Sequence, residues 1–326
     1  LEPVSGSVIS FNETMRKIVT AACLSFLLLF SGYRASAQYY FYNDSYYDTP
    51  LMFELGGSVG AMNSLTDIGG KKGIGGKFVK DLNIGNTEFT GGVYVAALYK
   101  YTVGLRLEVN FGKLSAADSV LKDVEMNNIA RARYNRNLSF RTNITEIAAI
   151  AEFHPLFAFI DWASKDGDPP RLSPYVMAGI SYFNFNPQAK LNGNWIDLQP
   201  LSTEGQGFAE YPDRKPYKLN GIAIPVGGGI KYELSPLFNI RAEFMYRPTN
   251  TDYIDDVSTR YIDKALFANY FTGNRLVNAI LLSDRNRGEY APQTLPDKKR
   301  GNIKDKDNFF SFNLKIGIGI GRERIR

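Results

Sequence analysis

Long stretches in which every second residue is apolar constrain this chain more than any other feature of its sequence. Val103, Leu105, Leu107, Val109 and Phe111 alternate with Gly104, Arg106, Glu108, Asn110 and Gly112. Successive side chains of a strand point to opposite faces, so this segment has one apolar wall and one polar wall. A later segment repeats the pattern, with Phe310, Phe312, Leu314, Ile316, Ile318 and Ile320 set against Ser311, Asn313, Lys315, Gly317 and Gly319. Near Asn239, Ile240, Ala242, Phe244 and Tyr246 oppose Arg241, Glu243, Met245 and Arg247. Five weaker segments, 51–62, 87–99, 141–153, 174–185 and 219–232, bring the predicted strands to eight. The 174–185 segment is apolar on both faces, which leaves its outward face open. Pro225 would cost a regular strand one ladder bond, and is read as a bulge beside Gly227, Gly228 and Gly229.

Strands of soluble domains average about six residues, whereas these reach about ten or more. That is the reach a tilted strand needs to cross a bilayer. Within hydrocarbon every backbone N–H and C=O needs a protein partner, so the sheet must close. The expectation is an all-β fold, an eight-stranded antiparallel transmembrane β-barrel. A periplasmic sandwich or a lipocalin-like barrel is the alternative. The high aromatic share, with 20 Tyr and 22 Phe, suits an interfacial aromatic belt.

An eight-stranded barrel encloses a space that side chains fill. Unpaired charge there is expensive, so the inward charges must balance. The predicted inward set is Glu54, Arg106, Glu108, Glu146, Glu152, Lys231, Arg241, Glu243, Arg247 and Lys315, five acids and five bases. This balance favours a salt-bridged plug over an open pore.

The first residues read as an export signal. Residues 1–14 precede the natural-looking start, Met15-Arg16-Lys17 is a short basic segment, and 18–30 is apolar but too short for a membrane helix of about 20 residues. Ala35-Ser36-Ala37 matches a small-x-small cleavage site, which assigns 15–37 to a signal peptide and makes Gln38 the new N-terminus. Cys23, the one cysteine, falls inside the apolar run, too early for a lipoprotein signal. Residues 38–49 are then a periplasmic lead, 50–321 the barrel and 322–326 a basic tail.

The predicted connections alternate in length. Lys100-Tyr101 and 233–237 are short, while 63–86, 114–140, 186–218 and 247–306 are long, the asymmetry expected of periplasmic turns and outer loops. The connection 155–173 is the exception, a longer periplasmic one. In the last outer loop, Ile262, Leu266, Phe267, Tyr270 and Phe271 have helical spacing, which predicts a helix over 258–271 capped by Ser258 and favoured by Asp255 and Asp256. The polar run 297–307 reads as a mobile lead into the last strand.

Candidate chemistry is sparse. His154 is the one histidine and would be the base of a hydrolase, or of a lipid-modifying enzyme, built into a barrel; a structural interfacial role is favoured. The glycine-rich run from Gly69 to Lys77 lacks the Ser or Thr that ends a phosphate loop, because Phe78 follows Lys77. Asp252, Asp255 and Asp256 have no EF-hand spacing and read as a solvated acidic turn. No cofactor or metal is predicted. A net charge of +5 without a long basic run argues against a nucleic-acid partner, although Lys298, Lys299, Arg300, Arg322, Arg324 and Arg326 could meet lipid phosphates.

Two stretches carry a family resemblance. The opening ELGGSVGAMNSLTDIGGKKGIGGKFVKDLN, with Thr66–Asn83 its most specific part, and TDYIDDVSTRYIDKALFANY (Thr251–Tyr270) resemble a Bacteroidota outer-membrane barrel family of unknown function, DUF6089-like. That family resembles PorG, the barrel of the type IX secretion system, and more broadly the eight-stranded barrels of the OmpA type. The resemblance implies a non-enzymatic protein of the outer membrane with an accessory or anchoring role in secretion. Its implied partners are outer-membrane lipid and periplasmic ring proteins similar to PorK and PorN. A structural or surface-adhesion barrel acting through its outer loops is the alternative.

Overall fold

The computed structural model describes residues 51–69, 84–122, 129–159, 170–235, 237–288 and 294–320. The expected signal peptide, periplasmic lead and basic tail, with most of the glycine-rich run, lie outside these residues.

Among the described residues eleven strands form one antiparallel sheet: β1 (Leu51–Leu65), β2 (Glu88–Tyr99), β3 (Val103–Ala117), β4 (Ser139–Phe153), β5 (Leu172–Asn184), β6 (Gln188–Leu191), β7 (Asn194–Asp197), β8 (Asn220–Ala223), β9 (Val226–Glu233), β10 (Phe238–Pro248) and β11 (Asn308–Ile320). The sheet closes on itself, because β4 pairs with β5 and β1 pairs with β11. Eight walls make the ring, with β8 and β9 sharing one of them. Closure leaves no open edge around the ring, so neighbouring walls supply the ladder partners.

Pro225 is not a bulge. Ala223 pairs with Ser181 and Val226 with Ala178, so three residues on one strand match three on the other with none inserted. On the other side Ala223 bridges Thr249 while Val226 pairs with Tyr246, again in step. Gly179 N–H still donates to the Pro225 carbonyl at 2.9 Å. Only the reciprocal bond, which proline cannot make, is missing.

Alternation along the strands sorts the two faces. In β3 the outward Val103, Leu105, Leu107 and Phe111 are exposed, while Arg106 and Glu108 are buried. The face left open in β5 is now assigned: Leu172, Val176, Ile180 and Tyr182 point outward, and Ser173, Tyr175, Met177, Ser181 and Phe183 inward.

The interior is layered along the barrel axis. At the long-loop end Met62, Leu114, Phe140, Ile144, Phe183 and Phe309 pack into an apolar cluster. Charged residues fill the middle. Met52, Leu98 and Tyr101 close the short-turn end, where the Tyr101 ring packs at a tilt against Phe157 of the short helix Pro155–Phe159, centroids 5.6 Å apart. Lys100 and Tyr101 both have positive φ, 49° and 57°, the backbone of a type I′ hairpin turn.

The long loops are built structure. β6 and β7 form a hairpin through Asn192-Gly193, whose φ values of 48° and 87° are again those of a type I′ turn. The expected helix over 258–271 is not present as such. A 3₁₀ turn at Lys264–Leu266, capped by the Asp263 side chain, leads into a single helical turn at Phe267–Tyr270. The longer helix is Gly273–Ser283, which buries Ala279 and Leu282 against a cluster containing Phe208, Phe267 and Phe271. Ser258 caps no helix, since the first helical turn after it begins at Lys264, and its hydroxyl donates to Asp252.

Candidate functional site

The lumen holds the ten charges named from the sequence. Each is buried, at 3% exposure or less. Arg106 from β3 reaches across to Glu243 of β10 at 2.6 Å, and also lies 2.6 Å from Glu152 of β4 and 3.1 Å from Glu108. Arg241 of β10 makes bonds of 2.7 Å to Glu54 of β1 and 2.8 Å to Glu152. Lys315 of β11 is 2.6 Å from Glu108 and 3.0 Å from Glu243. Lys231 meets Glu54 at 3.2 Å, and Arg247 holds Glu146 at 2.9 Å. Most of these charges therefore touch more than one strand.

Neutral donors missed from the sequence complete the set. Tyr94 donates to Glu54 at 2.5 Å, Tyr175 donates to Glu243, and Asn110 bridges Glu108 and Glu146 at 2.9 and 3.0 Å. Guanidinium groups also lie over the Tyr94 and Tyr175 rings. Parity on β2 would have revealed Tyr94, but Tyr175 lies on the strand whose face the sequence left open. Glu233, 3.7 Å from Lys231, is a further inward acid not named from the sequence.

His154 stands at the short-turn end beside Ser173 and Glu152. Its Nδ1 is 3.0 Å from Ser173 Oγ and its Nε2 3.4 Å from Glu152 Oε2, and its ring stacks on Tyr175. The residue types are those of a hydrolytic triad, but the surroundings are not. Ser173 is 2% exposed, and the adjoining cavity has a volume of about 10 Å³, room for one water. The Glu152 carboxylate is engaged by Arg106 and Arg241.

The loops build a second polar core outside the ring. Glu204 accepts from the backbone N–H groups of Ser258 and Thr259 at 3.0 and 2.9 Å, from the Thr259 hydroxyl at 2.7 Å and from Arg300 at 2.9 Å. Arg136 clasps Asp118 with two bonds and donates to the carbonyls of Asp67 and Arg300 at 2.8 Å each. The run 297–307 is thereby tied down through buried Arg300 and Asp307. Asp252, Asp255 and Asp256 do not form a solvated turn: they are 3%, 0% and 0% exposed. Burial raises the Asp252 carboxyl to about 7 and Asp256 to about 6. Burial, reinforced by neighbouring aspartates, raises Asp255 and Asp307 as well. Among the described residues no group of three or more His, Cys, Asp or Glu is placed to hold a metal ion.

The geometry defines a class: a closed eight-stranded antiparallel β-barrel with an apolar outer wall, a lumen filled by paired charges, and an ordered cap of loops. The chain belongs to the DUF6089 family, a domain of unknown function, whose model matches residues 46–274. Among curated proteins none matches the chain in sequence. Solved structures similar to it include the N-terminal β-barrel domain of Pseudomonas aeruginosa OprF, at 11% identity over 82% of this chain and 97% of that one, with a TM-score of 0.30. The outer membrane protein OprG of Pseudomonas aeruginosa is similar at 8% identity over 82% and 95%, with a TM-score of 0.36. Ail, the attachment invasion locus protein of Yersinia pestis, is similar at 10% identity over 82% and 99%, with a TM-score of 0.33. The eight-walled ring rests on the strand pairings of this chain itself.

Proposed function

We propose that this protein is a non-enzymatic barrel of the outer membrane that anchors and presents a rigid loop cap rather than conducting solutes. One observation carries the reading: a closed ring exposes apolar side chains outward while its lumen is filled by ion pairs. Val95, Leu105, Leu107, Ile147, Ile180 and Ile316 are each about half exposed on the outer wall, an arrangement costly in water and matched to hydrocarbon. Inside, Arg106, Arg241 and Lys315 each hold two or more carboxylates, which leaves no free row of charge to line a water path. The short turns then face the periplasm and the cap faces outward. The test is reconstitution into a planar bilayer. The barrel should insert as a heat-modifiable species and carry no sustained current; a large steady conductance would reject the closed lumen.

A finer reading makes the barrel an accessory or anchoring component of the type IX secretion system, with partners similar to PorK and PorN. It is supported by the resemblance of the stretches 66–83 and 251–270. Asp67 and Ile68 from the first meet the loop core built by the second, as in the bond from Ile68 N–H to Asp255 at 3.1 Å. Co-purification with periplasmic ring proteins after mild detergent extraction tests it. Recovery of the barrel alone from membranes whose ring stays intact would leave a structural or adhesive barrel acting through its cap.

A further inference from the structure

The rim at the long-loop end is not electrically uniform. On the outer faces of β10, β11, β5 and β8, the outward strand residues nearest the loops are Pro248, Asn308, Asn184 and Asn220, all neutral, with single exposed lysines, Lys306 and Lys218, two residues beyond Asn308 and Asn220. The sector formed by β3, β4, β6 and β7 differs. Lys113 is outward on β3, by its parity with exposed Phe111, and pairs across with Asn143 of β4. Arg141 lies two residues further along β4 and bonds Gln188 of β6 at 3.2 Å, which puts both on the same face. Lys190 is two residues beyond Gln188 and pairs with Trp195 of β7. Arg141 stacks on that indole at 3.6 Å from its centroid, and Trp195 is 39% exposed. Lys113, Arg141 and Lys190 are thus diagonal neighbours, about 7–8 Å apart at each step. Among the described residues neither lysine has a carboxylate partner. Asp197, the acid on this face of the hairpin, accepts from the neutral amides of Asn186 and Gln188, which do not offset its charge, so the sector sets three cations against one carboxylate.

Height on the wall identifies what this sector meets. From Val103 to Lys113 is about ten residues, about 33 Å along the strand, and a tilt of about 40° reduces that to about 25 Å along the axis. This equals the height of an outer-membrane apolar band, so Lys113 stands at its upper edge, with Arg141 and Lys190 just above. Phe111 and Ile147, at 55% and 58% exposure, lie directly below them. We infer that Lys113, Arg141, Lys190 and Trp195 form a binding site for a phosphate-bearing lipid of the surrounding leaflet. The headgroup phosphate meets the three cations, and the acyl chains descend over Phe111 and Ile147. Guanidinium binds phosphate oxygens through paired N–H donors, and indole favours the interfacial level.

The site rests on the membrane reading above, and the test separates the two. Folded full-length protein in detergent is titrated with phosphatidylglycerol, phosphatidylcholine or inorganic phosphate, and native mass spectrometry reads the bound lipid. Wild type should retain phosphatidylglycerol in preference to phosphatidylcholine, and excess inorganic phosphate should not displace it. K113Q/R141Q/K190Q should hold phosphatidylglycerol at least about tenfold more weakly. K298Q/K299Q/K304Q, which removes the same charge from the cap, should match wild type. If the triple variant fails to fold, K190Q on the hairpin outside the ring should still weaken retention. Equal retention by the K113Q/R141Q/K190Q variant, no preference for the anionic lipid, or displacement by phosphate would each overturn the site. A wild type that never takes a detergent-held, heat-modifiable form would overturn the membrane reading instead.

Discussion

Arg106 and Glu243 lie 137 residues apart in the chain and meet at 2.6 Å across the lumen, from walls on opposite sides of the ring. The contact exists only when the barrel is closed. Glu243 also takes Lys315 and the Tyr175 hydroxyl, so the pair is one bond of a cross-braced network.

Removing Arg106 takes one of two cationic partners from each of Glu152, Glu243 and Glu108, leaving Arg241 to the first and Lys315 to the other two. Arg106→Leu should destabilise the folded barrel by about 3–5 kcal/mol, because three buried carboxylates are left to share Arg241 and Lys315. Pairing it with Glu243→Leu should recover part of that loss. Reversible urea unfolding in lipid vesicles measures both, and equal stability of wild type and Arg106→Leu would remove the bracing role.

The neighbouring residue tests the other face. Leu107 is 54% exposed on the outer wall. Leu107→Arg should cost about 2–4 kcal/mol of membrane folding free energy if it sits near the midplane. The same assay in detergent micelles, where a charge reaches water more easily, should show a smaller penalty. A variant that assembles in vesicles as well as wild type would contradict the outward assignment.

The cap should loosen as pH rises. Burial raises Asp252 from its ordinary value near 4 to about 7, so folding favours its protonated form. That contribution is complete below about pH 4 and is lost as pH rises through about 7. Asp256, raised to about 6, acts in the same direction. Amide exchange over residues 251–258 should be better protected at pH 5 than at pH 8 after correction for intrinsic rates. Asp252→Asn should flatten the difference, and an opposite trend would refute the assignment.

Arg300 should matter to the cap and little to the ring. It bonds Glu204 at 2.9 Å and the Asp256 carbonyl at 2.6 Å, while its own backbone N–H pairs with Thr259. Arg300→Ala should raise the rate of proteolysis in the cap at least about tenfold, yet leave the heat-modifiable mobility of the barrel unchanged. Loss of that mobility would show that cap and ring fold as one unit.

Much of the wall was legible in the sequence, because a strand writes its two faces into every second residue. Val103 to Phe111 and Phe310 to Ile320 needed no partner to be read, and the inward acids and bases followed from the same parity. Tyr175 escaped because β5 carries apolar side chains on both faces, and only pairing with β4 and β9 decides which face looks inward. The Asn192-Gly193 turn is a local signal, since that dipeptide suits the positive φ of a type I′ turn.

What the sequence by itself determined, then, was strand length, alternation and which residues of a strand share a face, all properties of neighbours along the chain. Which acid meets which base was decided by the tertiary structure alone, because closure of the ring places β10 opposite β3 and β4. The cap was likewise beyond local reading. Asp252, Asp255 and Asp256 look like a solvated turn until distant segments carrying Asp67, Glu204 and Arg300 fold over them and exclude water. The cationic sector at Lys113, Arg141 and Lys190 also arises from three strands brought side by side, since no stretch of the sequence holds those three together.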